Sequence, residues 1–290
     1  MVIGFIGFGE VGYEISKGLV LEGCKDVYAF DPLQDVSDKK DYIVKRAIEA
    51  NVRLAESALK LVEKSDFIIA AVPGTFALAA CKNILPALKK GQIYADISTS
   101  SPIVKREMAE IVEKTGATFV DGGLMASLAQ THHKVPVLLA GSGADDFARA
   151  LTPFGMKLTK ISNKAGDAIA VKLVRSIYMK GIASLGAEML EAAYRLQVQD
   201  LVLPSIAETM DAKPFLENNN FLVIASAWHG DRQVHEMEDV AKMLDDIGVK
   251  STMTDATKER LAWLASLKAR EVFANKRPEH WEKLAEVWGN

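Results

Sequence analysis

Three glycines near the start of the chain have the spacing of a phosphate-binding loop. Gly7, Gly9 and Gly12 form the pattern G-x-G-x-x-G, directly after the apolar run Val2–Ile6 and at the opening of a helical stretch. The first glycine permits a tight turn, the second lets the backbone approach a pyrophosphate, and the third allows close packing of helix on strand. A glycine-rich turn without a ligand is the alternative. The pattern predicts a dinucleotide-binding segment made of Gly7, Phe8, Gly9, Glu10, Val11 and Gly12.

An acidic residue follows the glycines at the distance expected for a ribose contact. Asp31 ends the second β-rich run, where a carboxylate accepts hydrogen bonds from the adenosine ribose of NAD and repels the 2′-phosphate of NADP. This favours NAD as the cofactor. NADP stays possible because Lys39 and Lys40 follow the loop. The alternative role for Asp31 is that of a turn residue before Pro32.

Val72 and Pro73 end another apolar run, at the edge of the sheet where a dinucleotide binds. They are therefore predicted cofactor contacts, and a plain strand end is an equally open interpretation.

Four polar side chains share one stripe of a long predicted helix. Lys172, Arg175, Ser176 and Lys180 are spaced i, i+3, i+4 and i+8. Spacing alone favours a solvated helix face over a functional site.

These residues must be positioned by the elements around them. Through about residue 160, short β-rich runs alternate with helical stretches, which predicts βαβ units and a doubly wound parallel sheet of the Rossmann type. Runs such as Phe67–Val72 are apolar without alternation, as in strands covered on both faces. The predicted strands are Val2–Ile6, Asp26–Asp31, Phe67–Val72, Gln92–Asp96, Thr118–Asp121 and Val135–Ala140.

The second part of the chain shows helical periodicity only. We therefore predict a dinucleotide-binding domain over residues 1–162 and an all-α domain over residues 163–290, for substrate binding and dimerisation. The Asn218–Asn220 run is interpreted as a loop. The predicted helices are Gly166–Gln197, Met189–Leu203, Pro204–Met210, Val234–Ile247 and Lys258–Ala274.

Charge, cysteine content and hydropathy exclude several classes of protein. The formal net charge of -3 gives no positive field for nucleic acid. The two cysteines, Cys24 and Cys81, lack metal-ligand spacing and are predicted to be buried. Apolar stretches fall short of a membrane span, and the N-terminus lacks the pattern of a secretory signal. We expect a cytoplasmic protein with no nucleic-acid or membrane partner.

The order of these motifs resembles the β-hydroxyacid dehydrogenase superfamily, which includes 6-phosphogluconate and 3-hydroxyisobutyrate dehydrogenases. The resemblance covers most of the chain. It is carried by the segment Gly7–Gly12, by Asp96-Ile97-Ser98-Thr99 with Pro102, by Phe119-Val120-Asp121, and by Gly166 with Lys172.

The resemblance implies that Lys172 is the general acid/base, and this outweighs the solvated-face interpretation. Oxidation of a secondary alcohol requires its proton to leave as hydride moves to the nicotinamide, and an amine at the hydroxyl can accept that proton. Ser98, Thr99 and Ser127 would help to orient the substrate and the nicotinamide.

Two departures from the superfamily lie at positions expected to bind the substrate. Met125-Ala126-Ser127 stands where the Ser-Gly-Gly substrate loop is expected, and Ser176 replaces an asparagine. The chain resembles a branch with a C-terminal domain of unknown function, which includes phenylserine dehydrogenase-like enzymes. The expected small-molecule substrate is a 3-hydroxy acid, with a 2-amino-3-hydroxy acid or a sugar acid as variants.

Two residues of the predicted all-α domain are further substrate candidates. His235 stands where the superfamily has a second lysine, and Arg232 could bind a carboxylate in bidentate fashion. Adjoining acidic residues support a helix-surface role for His235 equally well. His132 and His133 lack a third ligand at any helical spacing, and we predict no metal site.

Other functions remain open from the sequence. Imine reductases share this architecture but lack the helix lysine, and a non-catalytic NAD-binding sensor is conceivable because two substrate motifs differ. Apolar helical stretches such as Ile182–Ala193 predict a homodimer or a larger homo-oligomer.

Overall fold

The computed structural model describes residues 1–37 and 39–288. They divide into two compact units, residues 1–176 and the residues from Ile177 onward. The division falls within one helix, later in the chain than the predicted boundary after Ser162. The predicted domain boundary stays a prediction. Each unit is described by itself below.

One sheet of eight strands forms the centre of the first unit, in the spatial order β3-β2-β1-β4-β5-β6-β7-β8. All neighbouring strands run parallel except β6 and β7. The chain order reverses between β1 and β4, which makes the carboxyl ends of these two strands the place where ligands bind in such sheets. The strands are β1 (Val2–Ile6), β2 (Asp26–Phe30), β3 (Arg53–Leu54), β4 (Phe67–Ala70), β5 (Ile93–Asp96), β6 (Thr118–Leu124), β7 (Pro136–Ala140) and β8 (Lys157–Ser162).

Both faces of the sheet are covered. Ile68 and Ile69, adjacent in β4, enter two different apolar clusters, because successive side chains of a strand point to opposite faces. The predicted doubly wound Rossmann fold is confirmed. The helices of this unit are α1 (Glu10–Leu21), α2 (Lys40–Ala50), α3 (Ala58–Lys64), α4 (Ala77–Ile84), α5 (Pro102–Glu113), α6 (Leu128–Thr131), α7 (Ala144–Leu151) and the first part of α8 (Asp167–Leu196).

The prediction of six parallel strands was wrong in number and in one direction. β3 has only two residues, too few for a periodic signal. β8 alternates exposed and half-buried residues at the edge of the sheet, so it lacks the continuous apolar character of the central strands. β6 extends beyond Asp121 through Gly122 and Gly123, because it pairs there with the antiparallel strand β7.

The second unit is all-α in its described part, as predicted. It contains the remainder of α8, followed by α9 (Gln199–Asp211), α10 (Phe215–Asp246), α11 (Thr252–Ser266), α12 (Ala269–Val272) and α13 (Glu282–Ala285).

Several predicted helix boundaries in this unit were wrong. Gln197, with φ of 59°, breaks the helix between α8 and α9, whereas Pro204 lies inside α9. The asparagine run predicted as a loop lies in α10, where the Asn218 amide donates to the Met210 carbonyl over 2.8 Å. Lys268, with φ of 48°, separates α11 from α12.

Both cysteines are buried, as predicted. Burial raises the pKa of the Cys24 thiol, and it raises the pKa of Cys81 to about 12. Thiols of this kind carry almost no thiolate at neutral pH, so neither is suited to nucleophilic catalysis.

Candidate active site

The glycine loop joins β1 to α1 at the point where the strand order reverses. Gly7 has φ of 90°, a conformation that favours glycine, and its N–H donates to the Phe30 carbonyl over 2.9 Å. A Cβ atom on Gly12 would lie 2.2 Å from the Gly7 carbonyl oxygen, so only glycine fits this helix-to-loop contact. A Cβ atom on Gly9 would meet no atom within 4 Å. Gly9 thus faces open space, as expected of a backbone that approaches a ligand.

The other residues of the loop differ in what they offer to a ligand. The Phe8 side chain is buried in the core, so Phe8 can contribute only through its backbone. Glu10 and Val11 form the first turn of α1, where helix N–H groups lack intrahelical partners and favour an anion. The Glu10 side chain is exposed.

Asp31 ties the end of β2 to the glycine loop. One carboxylate oxygen accepts the Phe8 N–H over 2.8 Å, and the other accepts the Leu33 N–H over 2.9 Å at the start of a short 3₁₀ helix. The turn role is therefore present. Each carboxylate oxygen can accept a further bond, so the predicted ribose contact stays a prediction.

A largely apolar cavity of about 600 Å³ lies along this edge of the sheet. Its size is within the range of small-molecule sites. Its walls include the glycine loop, the Asp31 turn and the loop after β4, with Gly7, Gly9, Asp31, Leu33, Val72 and Pro73 among them.

A second cavity, of about 270 Å³, shares Ala71, Val72 and Pro73 with the first. It is lined by the loop after β5 and by the beginning of α8, and includes Val11, Ser98, Thr99, Leu124 and Lys172. Two cavities in series along one sheet edge suit the two halves of a dinucleotide, and the open space at Gly9 lies on this edge. The residues present therefore fit NAD.

The structure places Lys172 against the loop after β5. Its Nζ donates to the Thr99 hydroxyl over 2.8 Å. The Ser98 hydroxyl donates to Asp96 over 2.9 Å. The loop approaches Gly74 so closely that a Cβ atom there would lie 2.1 Å from the Thr99 carbonyl oxygen. The Lys172 amine and the Ser98 and Thr99 side chains therefore line the smaller cavity, which suits the nicotinamide half of NAD.

Three other residues predicted to bind substrate do not line the two cavities. Met125 and Ser127 follow β6 and do not line either cavity, although the neighbouring Leu124 does. Ser176 lies one turn after Lys172 on α8 and is half-buried. Their predicted roles stay predictions.

Arg232 and His235 lie on α10, in the second unit. Arg232 is ion-paired with Glu236, and His235 Nδ1 lies 3.1 Å from Glu238. Both side chains are exposed, and their predicted contact with substrate stays a prediction.

Sequence reasoning missed Lys105, a lysine on α5 with no exposed side-chain surface. A signal was present, because Lys105, Met108, Ala109 and Val112 follow the spacing of one helix face and all four are buried. A lysine at a core position must be paired with acidic groups. Its partners are Asp96 and Asp121.

Among the residues described, no group of three His, Cys, Asp or Glu side chains could hold a metal ion. In the same part of the chain, no helix is long and apolar enough to cross a membrane.

A sequence model of the NAD-binding domain of 6-phosphogluconate dehydrogenase matches residues 2–164, more than half of the chain. The chain belongs to this family. The predicted resemblance to β-hydroxyacid dehydrogenases and the prediction of NAD as cofactor are confirmed at this level. A second sequence model, of a domain of unknown function named DUF1932, matches residues 193–264 of the chain.

Related proteins differ in the share of this chain that they match. An uncharacterized 28.5 kDa protein of Methanothermus fervidus is 28% identical over 258 residues, which are 89% of this chain and 96% of its own length. The mitochondrial 3-hydroxyisobutyrate dehydrogenase of Mus musculus is 31% identical over 152 residues. That match spans 51% of this chain and 43% of the mouse enzyme.

Solved structures share the fold over nearly the whole chain. A conserved protein of unknown function, described as similar to 3-hydroxyacid dehydrogenases, is 27% identical with a TM-score of 0.61, covering 92% of this chain and 97% of its own. The V8 variant of an imine reductase from Myxococcus stipitatus, in complex with NAD+, has a TM-score of 0.71 at 15% identity, covering 96% of this chain and 95% of its own. At that identity the likeness supports the fold alone.

Proposed function

We propose that this protein is an NAD-dependent oxidoreductase that transfers hydride between a 3-hydroxy acid and nicotinamide, with Lys172 as the general acid/base. The observation that carries the proposal is the position of Lys172. Its Nζ lies 2.8 Å from the Thr99 hydroxyl, in the wall of the smaller cavity at the carboxyl edge of the sheet. An amine placed there can exchange a proton with a substrate oxygen.

The chain itself supplies binding, orientation and proton transfer. Gly7, Gly9 and Gly12 would admit the pyrophosphate to the N-terminus of α1, and Asp31 would accept hydrogen bonds from the ribose. When bound, NAD+ would accept the hydride from the substrate carbon in the oxidation, and NADH would supply it in the reduction. Lys172 Nζ takes the hydroxyl proton in the oxidation and returns it to the developing alkoxide in the reduction.

Hydroxyl groups around Lys172 would hold the substrate in place. Thr99 already accepts a hydrogen bond from the lysine, and Ser98 lines the same cavity. We assign Met125, Ser127 and Ser176 to the substrate-facing side of the site, and Arg232 and His235 to recognition of the acid group. This assignment rests on sequence position.

Asp31 supports a preference for NAD over NADP. Asp31 borders the larger cavity, and the residue is only 8% exposed. A 2′-phosphate bound beside it would meet a like charge at low solvent exposure.

We further propose that two copies of the chain associate through the second unit. Large apolar side chains are exposed on its helices, among them Tyr194 at 76%, Leu201 at 74% and Leu216 at 79%. Exposed apolar surface on this scale marks interaction sites in water. A second copy of the chain presents the same apolar surface and can cover it.

The substrate class is tested by measuring NADH formation with a panel of 3-hydroxy acids, 2-amino-3-hydroxy acids and sugar acids. The proposal expects turnover of at least one member with NAD. Tight NAD binding without turnover of any member would contradict it and would favour a non-catalytic NAD-binding protein. Turnover of cyclic imines with NADPH and of no hydroxy acid would favour the imine reductase alternative.

A further inference from the structure

A buried charge cluster lies behind the candidate active site. The Lys105 ammonium has three N–H groups and three oxygen atoms around it: the Asp96 carbonyl at 2.6 Å, the Asp96 carboxylate at 2.7 Å and the Asp121 carboxylate at 3.3 Å. None of the three side chains has exposed surface. Lys105 lines neither cavity of the site, so any effect of Lys105 on the site must pass through the residues it contacts.

One arm of the cluster holds the helix that carries Lys172. Asp121 Oδ2 accepts the backbone N–H groups of Gly166 over 3.0 Å and of Ile169 over 3.1 Å. These N–H groups belong to the start of α8, which has no intrahelical acceptors for them. Lys172 lies three residues after Ile169 on the same helix.

The other arm holds the loop that carries Thr99. Asp96 Oδ2 accepts the Ser98 hydroxyl over 2.9 Å, and Lys105 donates to the Asp96 carbonyl at the end of β5. Thr99 follows Ser98 directly. The two groups that meet at 2.8 Å in the site, Lys172 Nζ and Thr99 Oγ1, are therefore both attached to the cluster around Lys105.

The free energy of folding alone does not explain why these three charged side chains lie in the core. Apolar side chains of similar volume are often as stabilising as a buried ion pair, because the desolvation of charges offsets their attraction. The cluster contains two carboxylates and one ammonium, and the positive end of the α8 dipole faces the excess negative charge. The hydrogen bonds that the two carboxylates accept are directional, and their ion pairs with Lys105 hold the two carboxylates next to each other. Apolar packing fixes the separation of two backbone segments less strictly.

We infer that Lys105 is a positioning residue, which sets the separation between the Lys172 helix and the Ser98–Thr99 loop through Asp121 and Asp96. The inference rests on the proposed function, in which Lys172 exchanges a proton with the substrate and must be correctly positioned to do so. The glycine loop after β1 is not bonded to the cluster, so binding of the adenosine half of NAD does not depend on it.

The kinetic test compares Lys105→Met and Lys105→Gln with the wild type. Methionine fills the space but leaves both carboxylates without a cation, whereas glutamine keeps a hydrogen-bond donor. We expect kcat to fall about 100-fold in Lys105→Met and about 10-fold in Lys105→Gln, as for a catalytic group displaced by roughly 1 Å. The Kd for ADP-ribose, which lacks the nicotinamide ring, should stay within about threefold of the wild type.

Ile43→Ala is the control. Ile43 is a core residue of α2 that lines neither cavity. Its truncation is expected to destabilise the fold without changing the contacts of the cluster. Its kcat, measured well below its Tm, should stay within about threefold of the wild type. An equal loss of kcat in Ile43→Ala, or unchanged kcat in the two Lys105 variants, would overturn the inference.

A crystal structure of Lys105→Gln tests the geometry without any substrate. We expect the distance from Lys172 Nζ to Thr99 Oγ1 to increase from 2.8 Å to beyond about 3.5 Å, outside hydrogen-bond range. An unchanged distance overturns the inference whatever the activity. A lengthened distance in a protein that oxidises no panel member would support the inference and contradict the proposed function.

Discussion

Gly9 and Gly12 lie three positions apart in sequence, and the space around them differs. A side chain on Gly9 would enter the cavity, whereas one on Gly12 would collide with the loop itself. We expect Gly9→Val to raise the Kd for NAD at least about 10-fold with Tm nearly unchanged, because only ligand space is filled. Titration of NAD binding and thermal unfolding measure the two effects.

Gly12→Val is the matched comparison and should lower both NAD affinity and Tm. Binding of NAD by Gly9→Val as tightly as by the wild type would contradict the approach of a ligand to Gly9.

Asp31 is expected to discriminate between NAD and NADP by its charge. In Asp31→Asn the repulsion of a 2′-phosphate is removed, so the ratio of the Kd for NADP to the Kd for NAD should fall about 10-fold. Tm should also fall somewhat, since one of the two backbone N–H groups loses its carboxylate acceptor. An unchanged ratio would assign Asp31 to the turn alone.

At the scale of single residues, the sequence was informative wherever a residue type has few uses. Glycines at a strand-to-helix turn and an acidic residue at the end of β2 predicted the loop and its neighbour. Lys105 was missed because a lysine is normally solvated, and its burial depends on Asp96 and Asp121, which come from other elements. The contact between Lys172 and Thr99 likewise joins residues far apart in sequence.

At the scale of elements, α8 and α11 are joined by a carboxylate cap. Glu188 on α8 accepts the Met253 N–H, the Thr254 N–H and the Thr254 hydroxyl, over 2.6 to 2.8 Å. Burial tends to raise the pKa of this carboxyl, but the three hydrogen bonds outweigh it and hold the pKa below its ordinary value of 4.5.

We expect Glu188→Gln to lower Tm by about 2 °C at pH 7, because the charged cap of α11 is lost. A lowered pKa means that the stabilisation is present above the ordinary value of 4.5 and is lost as the pH falls through the folded-state value. The difference in Tm should therefore shrink in acid.

Glu191→Gln is the control for this cap. Glu191 forms an exposed i,i+4 ion pair with Arg195, worth roughly 0.5 kcal/mol or less. A Tm difference for Glu188→Gln that does not depend on pH would contradict a role for its charge.

Elements with strong periodicity or continuous apolar character were predictable, and elements defined by their neighbours were not. β1 and β4 are central strands and were found. β3 and β8 exist as strands because β2 and β7 offer them backbone partners. Pro204 was expected to break a helix, but α9 continues through it, and the break lies at Gln197 instead.

At the scale of the whole molecule, the exposed apolar surface of the second unit predicts a dimer. Light scattering after size-exclusion chromatography should give twice the mass of the chain. Leu216→Glu places a charge on that surface and should shift the protein towards the monomer, because an unpaired charge at an apolar interface is costly.

Leu21→Glu is the matched control. Leu21 is 77% exposed on α1 of the first unit, close to the 79% of Leu216, and should leave the mass unchanged. A monomeric wild type would contradict the proposed dimer.

The most direct test of the central claim is the kcat of Lys172→Met under saturating NAD, with the best substrate of the panel. Lys45→Met, an exposed lysine on α2, serves as control. We predict a loss of at least about 100-fold in kcat for Lys172→Met, because the group that exchanges the proton is removed, with the Kd for NAD within about threefold of the wild type. A kcat within about threefold of the wild type would contradict the role of Lys172 as the general acid/base.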